Sequence, residues 1–268
     1  MAVHVLRFDQ LDSTSLQARR LVASGELPPQ SHLVLAGRQT GGIGRHGRHW
    51  SSPFGGLWMT LLWPLPEGDG PYTGGRLPET LSLQLGLAVQ RVLARAMGPN
   101  FSIRCKWPND VMASDRKLAG MLIETASGPT RLPTSPLSST TRWVLVGIGC
   151  NINNPVSTLD PEVQAAAAST ISLTGEPIEL EIFRKRLVAS VLGVLHEPVS
   201  DTAACAAFAE VMWGIGRTVS ATLPDGSTRQ GTIRGIDAQG RLLLGTGSPE
   251  RVEPLASISQ YVPHGLGV

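Results

Sequence analysis

Apolar and polar positions alternate from Val3 to Phe8, which predicts a short strand at the start of the chain. Asp12, Ser13 and Thr14 then place N-cap residue types ahead of Leu16, Ala18, Leu21 and Val22, whose helical spacing predicts a helix. After Pro28–Pro29, His32 to Ala36 reads as a strand feeding a glycine-rich stretch. Leu57 to Trp63 is strongly apolar and reads as a buried strand, and Pro64 to Pro78 reads as a Gly/Pro loop. From Glu79 to Met97, Leu81, Leu85, Val89, Val92, Leu93 and Ala96 mark the core face of a helix that stops at Gly98–Pro99.

Strands are expected next at Ile103–Lys106, Val111–Met112, Lys117–Glu124 and Trp143–Ile148, with a mobile Pro/Ser/Thr-rich hairpin tip from Ser127 to Thr141. Helical patterns follow at Pro161–Ala168, Glu179–Leu195 and Thr202–Met212. Beyond Trp213–Gly214 the texture changes to short strands at 218–223, 229–236 and 241–244, split by Pro224–Asp225–Gly226 and by Asp237 to Gly240. Such turn signals between alternating strands predict hairpins of a small all-β barrel. The division falls near Gly214, giving residues 1–213 and 214–268 within an α+β chain.

Composition narrows the function class. With 268 residues and 41% hydrophobic positions the chain can bury one large or two modest cores. A net charge of +2 and 16% charged residues give no pull toward nucleic acid or membrane. Three cysteines (Cys105, Cys150, Cys205) without CxxC spacing fit reduced thiols rather than a disulfide framework or a zinc site. The start lacks a signal-peptide core and no apolar run is long enough to cross a bilayer, so a soluble, cytoplasmic protein is expected.

The stretch Gly37 to Trp50 carries the clearest chemistry. Gly41, Gly42, Gly44 and Gly47 alternate with Arg45 and Arg48 and close on Trp50. Glycine lets the backbone approach a ligand and point N–H groups at it, and the arginine forks suit phosphate or carboxylate oxygens. An anion-binding lid, loose when empty, is expected; a solvated loop or an RGG-like RNA-binding segment has the same composition. No Gly-Lys-Ser/Thr follows, so it is not a phosphate-binding Walker loop, and Gly42 to Gly47 leads into Trp50–Pro53 rather than a helix, unlike a dinucleotide fingerprint. Further on, Pro108 holds Trp107 extended, Asn109–Asp110 reads as a turn, and Gly120 inside a strand marks a bulge or a close-passing ligand.

Taken in order, Asp12–Ser13–Thr14, Gln39 with Gly42 to Trp50, Lys106–Trp107–Pro108–Asn109–Asp110, Lys117–Leu118–Ala119–Gly120 and Gly147 to Asn153 resemble the biotin protein ligases. Gly231 to Leu244 resembles their C-terminal SH3-like domain. The resemblance implies a mixed-sheet catalytic domain like that of class II aminoacyl-tRNA synthetases, followed by an SH3-like barrel. It implies a carbon–nitrogen ligase that joins biotin to ATP as biotinyl-5′-AMP and passes biotin to one lysine of a biotin carboxyl carrier domain.

By that resemblance Lys117 contacts the biotin carboxylate and α-phosphate, Arg45 and its loop close over the phosphates, and Asp110 orients or deprotonates the acceptor lysine. Ser13, Thr14, Ser15, Gln39, Gly42, Ile43, Gly44 and Gly120 join Arg45 and Lys117 around biotin. Arg48, Trp50 and Asn151 join Arg45 and Lys117 around ATP, with Trp50 stacking on adenine or packing in the core. Mg²⁺ would arrive on the ATP phosphates, with Asn151 nearby and no dedicated metal ligands; His46 and His49 read as loop cations or solvated residues. On the residues alone, Lys117 reads first as a solubilising strand-start lysine and Asp110 as a turn residue.

Ile43 departs from the family pattern, which has arginine there, so one cation is missing and a slow ligase or non-catalytic biotin-binding protein is an alternative. A lipoate-protein ligase or octanoyl transferase of the same fold is another. The strand beginning almost at Met1 leaves no room for the helix-turn-helix of some relatives, so no specific DNA binding is expected. A homodimer through a sheet edge stays open.

Overall fold

A strand apolar on both faces must be covered on both. In the computed structural model, which describes residues 3–65, 72, 76–130, 139–247, 251–255 and 260–263, the run from Leu57 lies inside an eight-stranded mixed sheet. Its strands are His4–Leu11 (β1), His32–Ile43 (β2), His49–Ser52 (β3), Leu57–Pro64 (β4), Ile103–Lys106 (β5), Asp110–Ala113 (β6), Arg116–Thr130 (β7) and Ser139–Cys150 (β8). Across the sheet the order is β1-β2-β4-β8-β7-β6-β5, with β3 paired to β2. Only β1 and β2 run parallel, joined through the helix Thr14–Ser24 (α1) as a crossover requires.

Period-two alternation assigns the faces. Leu57, Met59, Leu61 and Trp63 of β4 join Val144, Val146 and Ile148 of β8 in the core beneath Leu81–Met97 (α2) and Leu180–His196 (α5). The intervening Leu62, Trp143 and Leu145 pack instead with Ala18 and Val22 of α1. Along that second face β8 presents Trp143, Leu145, Gly147 and Gly149, so its side chains vanish toward the end of the strand. The site occupies that opening.

Two short helices, Pro161–Gln164 (α3) and Thr170–Thr174 (α4), precede α5, and Asp201–Glu210 (α6) follows it. The chain then turns through Gly214 (φ 88°) and Gly216 (φ 79°) into an antiparallel sheet. It comprises Thr218–Thr222 (β9), Thr228–Ile236 (β10), Leu242–Thr246 (β11), Arg251–Leu255 (β12) and Gln260–Pro263 (β13), in the order β12-β11-β10-β9-β13. Its apolar face does not stand alone. Val219, Ala221, Ile233, Leu242 and Leu244 share one buried cluster with Leu83 and Leu87 of α2, Phe208 of α6, and Trp107, Met112 and Trp213.

Several expectations change. Helix 161–168 shrinks to Pro161–Gln164, because Ala166 and Ala168 are taken up by backbone hydrogen bonds to Lys117. The ends of the stretch expected as a mobile hairpin tip are paired strand, Ser127 with Arg142 and Gly128 with Thr141; residues 131–138 lie outside the described residues. Most of the Pro64–Pro78 loop lies outside them too. Among the described residues no helix is long and apolar enough to cross a membrane.

Cys105 and Cys150 are fully buried, and burial pushes both thiols up to about 12. The nucleophilic thiolate is therefore suppressed throughout the neutral range. At pH 8 the native protein should leave both unlabelled by a disulfide reagent over minutes, while denaturant exposes all three cysteines. Fast native labelling of Cys150 would contradict this packing.

Candidate active site

The N-terminus of α1 supplies the first wall. Ser13 is its N-cap, with Oγ accepting from Leu16 N. Thr14 and Ser15 are buried, and a buried hydroxyl needs a partner. Thr60 provides it: its Oγ1 lies 2.9 Å from Thr14 Oγ1 and 3.2 Å from Ser15 Oγ. Gln39 Oε1 accepts from Thr14 N at 2.7 Å, and Gln39 Nε2 donates to Ser52 Oγ at 2.8 Å. Gly147 admits this cluster, since a Cβ there would lie 2.9 Å from Ser15 Oγ. Thr60 and Ser52 were not singled out from sequence; a threonine inside the apolar run of β4 was the available signal.

The glycine stretch is not the loose loop expected of it. β2 continues through Gly41 and Gly42 to Ile43 and folds back as β3, pairing Gly42 with Trp50 and Ile43 with His49. A 3-10 turn at Arg45–Gly47 closes the ribbon, and Gly44 N donates to Arg48 O at 2.8 Å. Pairing satisfies backbone groups that a free loop would leave to water, which offsets the ordering entropy of glycine. Gly42 is required, because a Cβ would sit 2.4 Å from Trp50 O. His49 Nε2 lies 3.1 Å from Asp160 Oδ2 and Asp160 N donates to Ser51 Oγ, pinning the ribbon to the α3 segment. His49 is exposed, as a solvated loop residue would be, and its ring meets Asp160 at the surface. Ile43 is held through its backbone, opposite His49.

Trp50 lies across Gly120 and Gly149, which face each other on β7 and β8. Cβ atoms at these positions would fall 2.9 Å and 2.5 Å from the indole. Lys117 Nζ stands 4.7 Å from the ring centroid, in cation–π range, and the indole Nε1 is buried without a hydrogen-bond partner.

Lys117 Nζ also lies 2.8 Å from Asp110 Oδ1, an ion pair by distance but without hydrogen-bond alignment. The adjoining turn is clamped by Asn109, whose Nδ2 donates to Met121 O at 2.7 Å and whose Oδ1 accepts from Arg45 Nη1 at 3.2 Å. Arg45 is therefore docked on that turn. Burial pushes its guanidinium below its usual range, with Asp110 opposing and Arg48 adding to the shift. Burial likewise lowers the Lys106 ammonium, against the pull of Asp110 and with repulsion from Lys117 and Arg48. Three cations (Arg45, Lys106, Lys117) thus act on one carboxylate, with Arg48 near enough to repel Arg45 and Lys106. Such an excess of positive charge matches an anionic ligand. Lys106 and Asn109 join the residues anticipated from sequence.

Asn151 is buried at the end of β8. Its Oδ1 accepts from Asn154 Nδ2 at 3.1 Å and its N donates to Leu118 O, so it braces the strand beside Lys117. No group of three or more His, Cys, Asp or Glu capable of holding a metal occurs among the described residues.

Residues 8–132 match the biotin/lipoate A/B protein ligase family and 214–257 the biotin protein ligase C-terminal domain. The bifunctional ligase/repressor BirA of Bacillus subtilis is 30% identical over 253 residues, covering 92% of this chain and 70% of that protein. The biotin--[acetyl-CoA-carboxylase] ligase of Mycobacterium tuberculosis is 30% identical over 217 residues, 80% of this chain and 73% of that one. The fold matches the Aquifex aeolicus biotin protein ligase solved with biotin and ATP, at a TM-score of 0.72, 23% identity and coverage of 97% and 99% of the two chains. The cationic cluster, the hydroxyl wall and the small C-terminal sheet therefore sit in a chain that belongs to the biotin protein ligases.

Proposed function

We propose that the protein activates biotin with ATP and transfers it to the lysine of a carboxyl carrier domain of a biotin-dependent carboxylase. The convergence of Arg45, Lys106 and Lys117 on Asp110, with Arg48 close to the first two and the Thr14, Thr60 and Ser15 hydroxyls on the other wall, carries this reading. In the first step a biotin carboxylate oxygen attacks the α-phosphorus and pyrophosphate leaves, giving the acyl-adenylate. Negative charge accumulates where two anions are pressed together, and cations already gathered there stabilise it. In the second step the neutral acceptor amine attacks the acyl carbon and AMP leaves.

Asp110 has a role in each state. It balances Lys117 in the free site; once Lys117 turns to the phosphate, its carboxylate is released to orient the incoming amine and accept its proton. The ureido ring of biotin is assigned to Ser13, Thr14, Ser15 and Gln39, whose hydroxyl and amide groups both donate and accept. Trp50 and Gly120 frame the adjoining floor. Mg²⁺ would be carried in on the ATP phosphates, where it would offset their charge, with Asn151 the residue placed nearest to help hold it. The chemistry is assigned to residues 1–213, with 214–268 as the C-terminal module.

Labelled biotin incubated with a carrier domain should become protein-bound only with ATP present, and not with Lys117→Ala. Transfer of lipoate with none of biotin would overturn the assignment.

A further inference from the structure

The hairpin that carries Asp110 and Lys117 turns in an unusual way. Ala113 pairs with Arg116, leaving Ser114 (φ 47°) and Asp115 (φ 62°) as the two central residues. Both lie in the left-handed region, the geometry of a type I′ turn, yet neither is glycine. Such a turn persists only where its surroundings hold it. Here the holding groups come from the far end of the chain. Trp213 Nε1 donates to Asp115 Oδ1 at 2.8 Å, and Arg217 Nη2 lies 2.9 Å from both carboxylate oxygens. Burial works to raise the Asp115 carboxyl, but the hydrogen bonds from Arg217 and Trp213 hold it below its usual range.

Arg217 is itself fixed in the C-terminal sheet, its carbonyl accepting from Ile233 N at 3.0 Å. Trp213 is fixed to the catalytic sheet, its N donating to Cys105 O at 2.7 Å. Its indole has Arg217 Cζ 4.8 Å and Lys106 Nζ 5.2 Å from the ring centroid. One aromatic ring thus connects the C-terminal sheet to a member of the cationic cluster, while the carboxylate it shares with Arg217 sits two residues before Lys117.

We infer that Trp213 and Arg217 are positioning residues for adenylation: by gripping Asp115 they lock the β6–β7 turn and so fix Lys117 and Lys106 in the site. The inference rests on the proposed reaction, and it assigns the C-terminal module a part in the first chemical step. None of the three residues touches the reacting atoms. Their effect should therefore appear in kcat of the first step rather than in biotin affinity.

The test compares full-length Arg217→Ala, Arg217→Lys and Trp213→Phe in pyrophosphate release from biotin and ATP. Arg217→Ala should lower kcat about tenfold, less than the roughly 10²–10³-fold for deleting an aligned donor because Lys117 is misplaced rather than removed, with biotin Kd within twofold of wild type. Arg217→Lys, which keeps the charge but not the two-oxygen contact, should recover part of the loss. Trp213→Phe keeps the ring and removes the donor, and should fall between wild type and Arg217→Ala. In a Lys117→Ala background Arg217→Ala should cost clearly less than it does alone, because one of the two positioned groups is already gone. An unchanged kcat in Arg217→Ala, or full additivity with Lys117→Ala, would overturn the inference. If Arg217→Ala does not fold, the same two criteria are applied to Trp213→Phe. A wild-type enzyme that releases no pyrophosphate would refute the proposed reaction instead.

Discussion

Lys117→Ala is expected to slow pyrophosphate release from biotin and ATP by about 10²–10³-fold, the usual cost of removing one fixed donor from a developing negative charge. Two effects act in the same direction. The substitution removes the ammonium that lies 2.8 Å from Asp110 and over the Trp50 ring. It also leaves the Asp110 carboxylate without that partner, adding a negative charge where the phosphate must approach. Stability should change little. The pair is partly solvent-exposed, and exposed pairs contribute only about 0–1 kcal/mol. A thermal midpoint near that of wild type, with catalysis nearly abolished, is therefore the expected signature. Lys117→Arg should retain part of the rate, since it keeps the charge but replaces a compact point donor with a planar fork. Activity of Lys117→Ala within fivefold of wild type would remove Lys117 from the chemistry.

Much of this site was legible in the sequence because its parts are local. Lys117, Asp110, Arg45 and the hydroxyls at Ser13 to Ser15 stand in short segments whose patterns set their strand, turn or cap. Elements whose cause is distant were harder to read. Glycines disfavour strands, so nothing in Gly37 to Gly44 announces that β2 runs on to Ile43; its pairing with His49 and Trp50 decides it. Strand β12 contains Pro254, a residue that argues against a strand, and the structure accommodates it at the edge of the sheet. Helix α4 has five residues, too few for periodicity, and is set by a capping box between Ser169 and Ser172. The contact of Asp115 with Arg217 spans 102 residues and leaves no local trace. Thr60 lies between these extremes: a lone hydroxyl in an apolar strand, explicable only once α1 is seen packed above it.

The same face of the sheet yields a second large effect, on packing. Gly120 and Gly149 face each other on adjacent strands, and together they leave a bare patch that the Trp50 indole fills. A Cβ at residue 149 would lie 2.5 Å from Trp50 Nε1 and 2.7 Å from Cε2, closer than such atoms approach. The ring cannot swing aside like the end of a flexible chain, because its backbone is paired to Gly42. Gly149→Ala must therefore shift the ribbon, at a cost of about 1–3 kcal/mol for overpacking. For a chain of this size that corresponds to a Tm lower by roughly 2–12 °C. Adenylation should fall more than tenfold, because the displaced ribbon carries Arg45 away from Asn109 and removes the ring beneath Lys117. The cause is separable from any general weakening of β8 by a double-mutant cycle. With Trp50→Ala already in place, the added methyl group meets empty space, and Gly149→Ala should no longer lower Tm. If the methyl group costs as much without the indole as with it, the bare patch is not what seats Trp50.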